Sequence, residues 1–331
     1  MSKAGKKRKF LKTLALIIGI FCCIYTLMSL VFPSPQLGHF KTASGQETYL
    51  KYYDQVMEKM PLKPNQVYDL KTTWGTVRLY EWSRPETKQA TPLMLFPGRS
   101  SGAPMWEKNI PYFARNHPVY AFDMLGDAGK SLQSLPFKNM KEVAASISQL
   151  LDQLAIKKAH LLGHSFGSAI AAAFAKFFPG RVQSLTLLEP AFTLNYPSLS
   201  VFFWGSLSQL KFLPKDLKNK ALAEISGEDP KKIASNQDPL AQMIKAATDS
   251  YSTSLPTPKP LSEAELKSWT FPVYLGLAEK SSVTKEETQK NAKAIPQVTI
   301  KKWEKTTHSL PMEVAEPLAH ELEDFWQKAE K

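Results

Sequence analysis

Short apolar runs alternate with helical patterns along most of the chain from residue 65 onward. Seven runs have the length and composition of buried strands: Val77–Trp82, Leu93–Phe96, Val119–Phe122, Ala159–Leu162, Ser184–Leu188, Val273–Leu277 and Val298–Trp303. Three further segments have helical patterns: Val143–Leu154 and Glu313–Lys328 are amphipathic, and Ala169–Phe178 is alanine-rich and apolar on all sides, as suits a buried helix. This alternation predicts an α/β fold built on a mostly parallel sheet with flanking helices.

Two stretches interrupt the alternation. Residues 191–267 lack clear strands and include the aromatic-rich segment Leu194–Leu213, which favours a helical cap over a disordered linker. Residues 33–64 indicate a stalk that contains a short helix near Glu47–Met60. The domain organisation expected is a stalk at 33–64, an α/β core formed by 65–190 and 268–331, and a cap at 191–267 inserted into the core.

The first 32 residues differ from the rest in charge and hydropathy. Residues 1–12 carry six of the chain's 42 basic side chains and no acid, and residues 13–32 carry no charge at all. A helix of that length extends about 30 Å, which matches the hydrocarbon thickness of a bilayer. The pattern predicts a transmembrane signal anchor in the cell membrane, with the N-terminus cytoplasmic and the body extracytoplasmic. A cleaved signal peptide is the alternative.

The net charge of +12 at first suggests a polyanionic partner such as nucleic acid. Six of those charges belong to residues 1–12, which leaves +6 over the remaining 319 residues. The basic flank therefore indicates membrane topology, and no nucleic-acid partner is expected. Both cysteines, Cys22 and Cys23, lie in the apolar segment, so the body after it has no disulfide to stabilise it.

The sequence Gly163-His164-Ser165-Phe166-Gly167 carries the strongest chemical signal. It follows the strand Ala159–Leu162 and opens an alanine-rich helix, which is the context in which a GxSxG motif forms a nucleophile elbow. Small residues at both ends of the motif allow the sharp turn that exposes the serine hydroxyl. The helix N-terminus behind it favours developing negative charge. Ser165 is therefore the predicted nucleophile.

A serine nucleophile needs a base, and histidine is the usual one. Five of the six histidines lie in an unsuitable context: His39 in the predicted stalk, His117 before a strand, His160 and His164 in or beside the elbow strand, and His320 within a helix. His308 lies in a loop between the last strand and the last helix. The base occupies that place when the catalytic residues follow the order Ser, acid, His. His308 is therefore the predicted base.

Three further stretches resemble the α/β-hydrolase superfamily, in its esterase-like group with a cap. Leu95-Phe96-Pro97-Gly98-Arg99, followed by Met105-Trp106, resembles the oxyanion strand and loop HGxxxxxxxW. Asp123–Ser131 resembles the DxxGxGxS loop, and His308–Glu313 resembles the GHxxxxE end of the family pattern. The resemblance extends over residues 67–325 and implies the α/β-hydrolase fold much more specifically than it implies a substrate.

The catalytic acid departs from the family pattern. Relatives carry Asp or Glu in the loop after the strand Val273–Leu277, and this chain has Ser281 at the corresponding position. The resemblance implies two replacements. One is Glu189, at the end of the preceding strand, where certain haloalkane dehalogenases carry their acid; the other is Glu279, two residues from the usual place. A solvated strand-end carboxylate is a third interpretation of Glu189. Pro97 also replaces the usual histidine, which is expected to alter loop support rather than chemistry.

Together these residues indicate a membrane-anchored serine hydrolase, foremost a carboxylesterase that forms an acyl-serine intermediate and needs no cofactor. The resemblance implies that the backbone N–H groups of Phe166 and Arg99 form the oxyanion hole. The apolar cap segment suggests a small-molecule or lipid-like acyl ester as substrate. The alternatives are a catalytically impaired binding module with a hydrolase fold, and an acyltransferase, thioesterase or peptidase that uses the same triad.

No metal site is expected from the sequence. His160 and His164 have the spacing of paired metal ligands, but their segment is typical of a strand and a turn. Gly129-Lys130-Ser131 resembles the end of a phosphate-binding loop, yet Met124 occupies the position of its first glycine.

Overall fold

The computed structural model describes Thr13, residues 36–208 and residues 214–331. The compact unit considered below comprises Leu37–Lys331. The basic flank and, apart from Thr13, the predicted transmembrane segment lie outside the described residues. Among the helices that are described, none combines the length and apolar composition needed to cross a membrane.

A mixed sheet runs through the described part of the chain. In chain order its strands are β2 (Gln66–Thr72), β3 (Gly75–Trp82), β4 (Leu93–Phe96), β5 (Val119–Phe122), β6 (Leu132–Gln133), β7 (Ala159–His164), β8 (Val182–Leu188), β10 (Val273–Ala278) and β11 (Val298–Trp303). A separate antiparallel pair joins β1 (His39–Phe40) to β9 (Tyr251–Ser252). The spatial order is β11-β10-β8-β7-β4-β5-β3-β2, with β6 paired to β3. The strands from β11 to β5 are parallel, whereas β2, β3 and β6 pair in antiparallel fashion.

Helices connect the strands and cover both faces of the sheet. They are α1 (Ala43–Lys59), α2 (Ile110–Phe113), α3 (Met140–Gln153), α4 (Phe166–Phe177), α5 (Leu199–Ser208), α6 (Lys215–Ser226), α7 (Pro230–Ser235), α8 (Pro239–Ser250), α9 (Glu263–Lys267), α10 (Glu286–Ala292), α11 (Leu310–Glu313) and α12 (Ala315–Ala329). Helices α5 to α9 all lie between β8 and β10, the interval in which the sequence predicts a cap.

The central strands carry apolar side chains on both faces of the sheet. In β4, Met94 and Phe96 pack into one hydrophobic cluster with α3 and α4, whereas Leu93 and Leu95 pack into a second cluster with α1 and α12. Successive side chains of a strand point to opposite faces, so a strand covered on both sides is apolar throughout. That burial explains why the central strands β4, β7, β8 and β10 were recognisable as continuous apolar runs, and the predicted mostly parallel sheet is confirmed.

Helix α1 corrects the prediction of a stalk at residues 33–64. Its residues Tyr49, Tyr53 and Val56 are fully buried and belong to the same hydrophobic cluster as α12. The Tyr53 hydroxyl also donates a hydrogen bond of 2.9 Å to buried Asp123, which follows β5. From Leu37 onward the chain is therefore part of the compact body. The sequence pattern showed the helix but not the surface that it covers, because that surface comes from distant strands.

Candidate active site

Ser165 lies in a sharp turn between β7 and α4. Its backbone adopts φ 54° and ψ −119°, a conformation that residues with a side chain rarely occupy. The flanking glycines make the turn possible, since a Cβ on Gly163 would lie 2.6 Å from Ser168 Cα and one on Gly167 would lie 2.2 Å from the Phe96 carbonyl oxygen. The second approach brings the N-terminus of α4 against the end of β4. The motif thus forms the strand–turn–helix elbow that the sequence predicts.

Two hydrogen bonds connect Ser165 to a histidine and then to a buried carboxylate. The Ser165 hydroxyl lies 2.8 Å from His308 Nε2, and His308 Nδ1 lies 3.1 Å from Glu189 Oε2. The carboxylate can only accept, so Nδ1 carries the proton and Nε2 presents its lone pair to the serine. In this tautomer His308 is oriented to remove the proton of Ser165. The structure brings together Ser165, His308 and Glu189.

Glu189 is held by donors on two sides. Its Oε1 accepts from the Ala278 N–H at 2.7 Å and from the Thr284 hydroxyl at 2.8 Å, while Oε2 accepts from the Ser281 hydroxyl as well as from His308. Burial alone would raise the pKa of this carboxyl. The hydrogen bond and charge of His308, with the Ala278 and Ser281 donors, instead hold the pKa of Glu189 below its ordinary value. Glu189 is therefore ionised at neutral pH.

The competing interpretations of the acid do not agree with this geometry. The side chain of Glu189 is 0% exposed, so it is not a solvated strand-end carboxylate. The alternative acid, Glu279, accepts a hydrogen bond of 2.8 Å from the Lys305 N–H and makes no hydrogen bond to His308. Ser281, at the position where the family carries its acid, instead donates to Glu189. The serine thus supports a carboxylate that arrives from the neighbouring strand.

The loop that carries His308 is fixed from three directions. The His308 N–H donates to the Ser226 carbonyl at the end of α6 (3.1 Å), and the His308 carbonyl accepts from Nε2 of His164 (2.7 Å). On the far side, Glu313 accepts from both the N–H and the hydroxyl of Thr307, at 2.7 and 2.8 Å. These contacts restrain the imidazole before any substrate arrives.

Two backbone N–H groups beside Ser165 are available to bind an oxyanion. Phe166 is the first residue of α4, so its N–H has no acceptor within the helix. Arg99 follows Gly98 in the loop after β4, and no acceptor for its N–H lies among residues 36–208 and 214–331. The side chains of these residues also meet, with the Arg99 guanidinium 4.3 Å from the centre of the Phe166 ring. The described geometry is compatible with the oxyanion hole that the resemblance implies.

Comparison with known proteins identifies the family. The family profile of the alpha/beta hydrolase fold matches residues 91–313, which is more than half of the chain. The chain belongs to this family. Among solved structures, naproxen esterase (carboxylesterase NP) from Bacillus subtilis aligns with a TM-score of 0.76 at 21% sequence identity, over 86% of this chain and 99% of that chain.

Two curated relatives of this α/β hydrolase match over a shorter region. A Bacillus subtilis (strain 168) protein named uncharacterized carboxylesterase nap is 30% identical over 145 residues, or 44% of this chain and 47% of that protein. The human 1-acylglycerol-3-phosphate O-acyltransferase ABHD5 is 30% identical over 161 residues, or 46% of this chain and 42% of that protein. The chain thus spans less than half the length of either relative.

Sequence reasoning missed the residues that hold the oxyanion loop of this α/β hydrolase. Buried Asp127 accepts from the Ser100 N–H at 2.8 Å, and buried Asp123 accepts from the Ala103 N–H at 2.9 Å. Burial is the main influence on both carboxyls and raises the pKa of each above its ordinary value. Both aspartates lie in the DxxGxGxS-like stretch. The sequence indicated that this stretch is a loop of the family, but it did not predict that the loop binds the segment after β4.

Proposed function

We propose that this protein is a membrane-anchored carboxylesterase that acts through an acyl-serine intermediate. The observation that carries the proposal is the continuous hydrogen-bonded path from the Ser165 hydroxyl through His308 to Glu189. A serine at an elbow, a histidine in the required tautomer and a buried carboxylate form the arrangement that activates a hydroxyl for attack on a carbonyl.

The reaction follows from the orientation of these groups. His308 Nε2 removes the proton of Ser165 as Oγ attacks the ester carbonyl carbon, and Glu189 stabilises the imidazolium that forms. The N–H groups of Phe166 and Arg99 donate to the oxyanion. His308 then gives its proton to the departing alkoxide, which leaves the acyl group on Ser165. Water attacks the acyl-serine as His308 removes its proton; the bond from the acyl carbon to Oγ then breaks, Oγ takes the proton from His308, and the carboxylic acid departs.

An aromatic path beside Ser165 supports an apolar acyl group as substrate. The ring of Phe166 contacts Phe192 at a centroid distance of 6.3 Å, and Phe192 in turn contacts Tyr196 at 6.4 Å and Phe202 at 5.4 Å. Tyr196 and Phe202 are 53% and 39% exposed, so the path runs from the residue after the nucleophile to the surface at α5. Rings along such a path favour hydrocarbon over charged groups.

The decisive experiment replaces the nucleophile. Ser165→Ala is expected to lower kcat/KM for p-nitrophenyl esters at least about 10³-fold and to abolish labelling by a fluorophosphonate, because no other hydroxyl faces His308 Nε2 in the described residues. Ser134→Ala, at an exposed serine in the loop before α3, is the matched control and is expected to behave as wild type. Retained hydrolysis or labelling in Ser165→Ala would refute the proposed nucleophile.

Acyl transfer to an alcohol is a second candidate, favoured by the resemblance to the acyltransferase ABHD5. It uses the same acyl-serine, with an acceptor hydroxyl in place of water. Incubation with a p-nitrophenyl acyl ester and 1-acylglycerol-3-phosphate distinguishes the two. An esterase releases free fatty acid, whereas a transferase yields the diacylated phosphate. The third hypothesis, an impaired binding module, predicts a folded protein that no fluorophosphonate labels. That hypothesis was based on the absence of an acid at position 281, and the contact of Glu189 with His308 removes much of its support.

The anchoring part of the proposal rests on the uncharged residues 13–32 and the basic flank before them. The chain is expected to stay in membranes washed with alkaline carbonate, and a C-terminal alkaline phosphatase fusion is expected to be active outside the cytoplasm. A variant with two charges in the segment, Ile18→Lys with Ile24→Lys, is expected to be released. Release of the wild-type chain by carbonate would contradict the proposed anchor.

A further inference from the structure

A second group of histidines and glutamates lies at the opposite end of β7 from Ser165. His160 is the second residue of β7, and His117 lies just before β5. Glu323 lies in α12, and Glu330 is the residue that caps its C-terminus. One donor atom from each of His117, His160 and Glu330 lies within 4.8 Å of the other two. None of these side chains takes part in the proposed hydrolysis.

Both imidazoles are bound through Nδ1 and turn Nε2 toward the carboxylates. His117 Nδ1 lies 2.8 Å from the Thr91 carbonyl oxygen, which can only accept, so Nδ1 carries the proton and Nε2 of the neutral ring is a bare lone pair. His160 Nδ1 lies 2.7 Å from the Ser184 hydroxyl. Metal-binding histidines show this pattern, in which one ring nitrogen is held by a carbonyl or hydroxyl and the other faces the metal.

No hydrogen-bond donor in the described part of the chain contacts the Nε2 lone pair of His117. Its Nε2 lies 3.3 Å from Glu323 Oε2, yet it makes no hydrogen bond within the described residues, and His117 is 3% exposed. A lone pair and a carboxylate oxygen repel each other unless a positive charge lies between them. That charge is either a proton on the ring or a cation bound by both groups.

The donor atoms of His117, His160 and Glu330 lie close enough together to bind one small cation. With ligand bonds of about 2.0–2.1 Å, the edges of a zinc tetrahedron measure roughly 3.3 Å. His160 Nε2 lies 3.2 Å from Glu330 Oε1, which is that length, and a donor atom of His117 lies within 4.8 Å of both side chains' donor atoms. Two imidazole nitrogens and one carboxylate suit Zn²⁺ and disfavour Ca²⁺ or Mg²⁺, which prefer oxygen alone.

We propose that His117, His160 and Glu330 bind one Zn²⁺ ion in a structural site that connects the end of α12 to the sheet, with the Glu323 carboxylate beside His117. Both histidines are buried, whereas the side chains of Glu323 and Glu330 are 20% and 36% exposed, which gives the ion a route from solvent. His164, which has the spacing of a paired ligand from His160, is not part of the group, because its Nε2 donates to the His308 carbonyl. The group lies at the opposite end of β7 from Ser165 and joins residues from three distant parts of the chain, so the role of the ion is stability.

The first test measures zinc binding and thermal stability of the full chain. After dialysis against buffered Zn²⁺, elemental analysis is expected to give one zinc per chain. At free Zn²⁺ about a hundredfold above Kd, the Tm is expected to rise by about 5 °C. Co²⁺ in its place is expected to show the intense visible absorption of tetrahedral coordination. Ester hydrolysis is expected to be unchanged after chelation at a temperature well below the Tm.

Single substitutions in the group, with a control on α12, identify the ligands. Glu330→Gln, a half-exposed position that tolerates change, is expected to weaken zinc binding at least about 10-fold and to reduce the rise in Tm. His160→Gln is expected to abolish both. His320→Gln, at an exposed histidine of α12 outside the cluster, is the matched control and is expected to bind zinc as wild type does. The proposal would be overturned if the wild-type chain bound no zinc, or if Glu330→Gln and His160→Gln bound zinc as tightly as wild type does. The contacts between these histidines and glutamates would then be ion pairs only.

Discussion

The two ends of β7 hold the same residue types in opposite arrangements. At the end where the strand enters α4, His308 binds Glu189 through Nδ1 and presents Nε2 to the Ser165 hydroxyl. At the start of the strand, His160 uses Nδ1 for a hydroxyl and presents Nε2 to Glu330. A histidine beside a glutamate therefore has no fixed chemistry. His308 turns Nδ1 to its carboxylate, which leaves Nε2 free to act as a base, whereas His160 turns Nε2, the proposed ligand atom, toward its carboxylate.

The two ends of β7 also differ in how deeply the carboxylate is buried. Glu189 is fully buried, accepts four hydrogen bonds and has a pKa held below its ordinary value mainly by His308 against the effect of burial. Glu330 is partly exposed and lies at the end of a helix. A rigid, buried carboxylate can orient an imidazole and stabilise its charge. An exposed carboxylate on a helix end can move toward a cation, which is what an ion-binding site requires.

The largest expected difference between the two ends is in kcat, and it is tested by replacing Glu189 and Glu330 separately with glutamine. Glu189→Gln is expected to lower kcat for ester hydrolysis by about 10³-fold, since the amide neither stabilises the imidazolium nor fixes the productive tautomer. Glu330→Gln is expected to leave kcat within about twofold of wild type. Initial rates with p-nitrophenyl butyrate, with Tm recorded for each variant, measure both.

Glu279→Gln is the control for the alternative acid and is expected to retain wild-type kcat, because that side chain binds the Lys305 N–H instead of His308. A drop for Glu279→Gln as large as that for Glu189→Gln would contradict the proposed triad. So would a folded Glu189→Gln variant with kcat within tenfold of wild type.

The sequence predicted the buried central strands and the edge strand β11, but not the edge strand β2. Strands β4 and β7 appear as uninterrupted apolar runs because helices cover them on both sides. The edge strand β2 was missed, because Gln66–Thr72 alternates exposed polar and half-buried residues as an edge strand does. Its partner β3 was found, since its side chains are mostly buried. Propensity and apolar pattern therefore located the core and one edge of the sheet but not the polar edge strand β2.

The candidate site divides in the same way between local and tertiary signals. Ser165 and His308 were identifiable because an elbow and a terminal loop are local features of the sequence. Glu189 remained one of several interpretations, because only the pairing of β8 with β10 brings it beside Ser281 and His308. The zinc ligands were not foreseen, since His117, His160 and the end of α12 come from three distant parts of the chain.

A titration experiment distinguishes the buried histidine at the elbow from exposed ones. Burial, with a smaller contribution from His308, lowers the pKa of His164 to about 3. An unfolded chain binds a proton at this histidine below about pH 6.5, but the folded chain excludes it until about pH 3. The stabilising contribution is complete above pH 6.5 and is lost as the pH falls toward 3. Between these pH values the free energy of unfolding falls by about 1.4 kcal/mol per pH unit because of this one histidine.

Urea unfolding at pH 7, 6 and 5 measures this effect. His164→Gln keeps a donor for the His308 carbonyl and removes the titrating ring, so its stability is expected to fall less steeply with acid, by about one proton. His160, whose pKa burial lowers to about 4, contributes in the same direction in both proteins, so the slopes and not the absolute stabilities are compared. The exposed His320→Gln variant is expected to keep the wild-type slope, and equal slopes for His164→Gln and wild type would contradict the burial argument.

The smallest expected effect concerns Ser281, which supports the acid without touching His308. Ser281→Ala removes one of the four donors to Glu189, and a hydrogen bond to a charged group is worth about 1.5–3 kcal/mol. Only part of that energy bears on the transition state, because Glu189 keeps the Ala278, Thr284 and His308 contacts. We expect kcat to fall about 3- to 10-fold with KM unchanged. A loss as large as that of Glu189→Gln would mean that the serine does more than support the carboxylate.

A double variant extends this argument to the family position of the acid. In Glu189→Gln/Ser281→Asp, a carboxylate replaces the hydroxyl that lies one hydrogen bond from the oxygen facing His308. If His308 requires only a nearby buried negative charge, the kcat of this double variant is expected to be about tenfold higher than that of Glu189→Gln. No recovery would show that the approach from β8, with the Ala278 and Thr284 donors, is itself required. In that case the position from which the carboxylate reaches His308 matters as well as its charge.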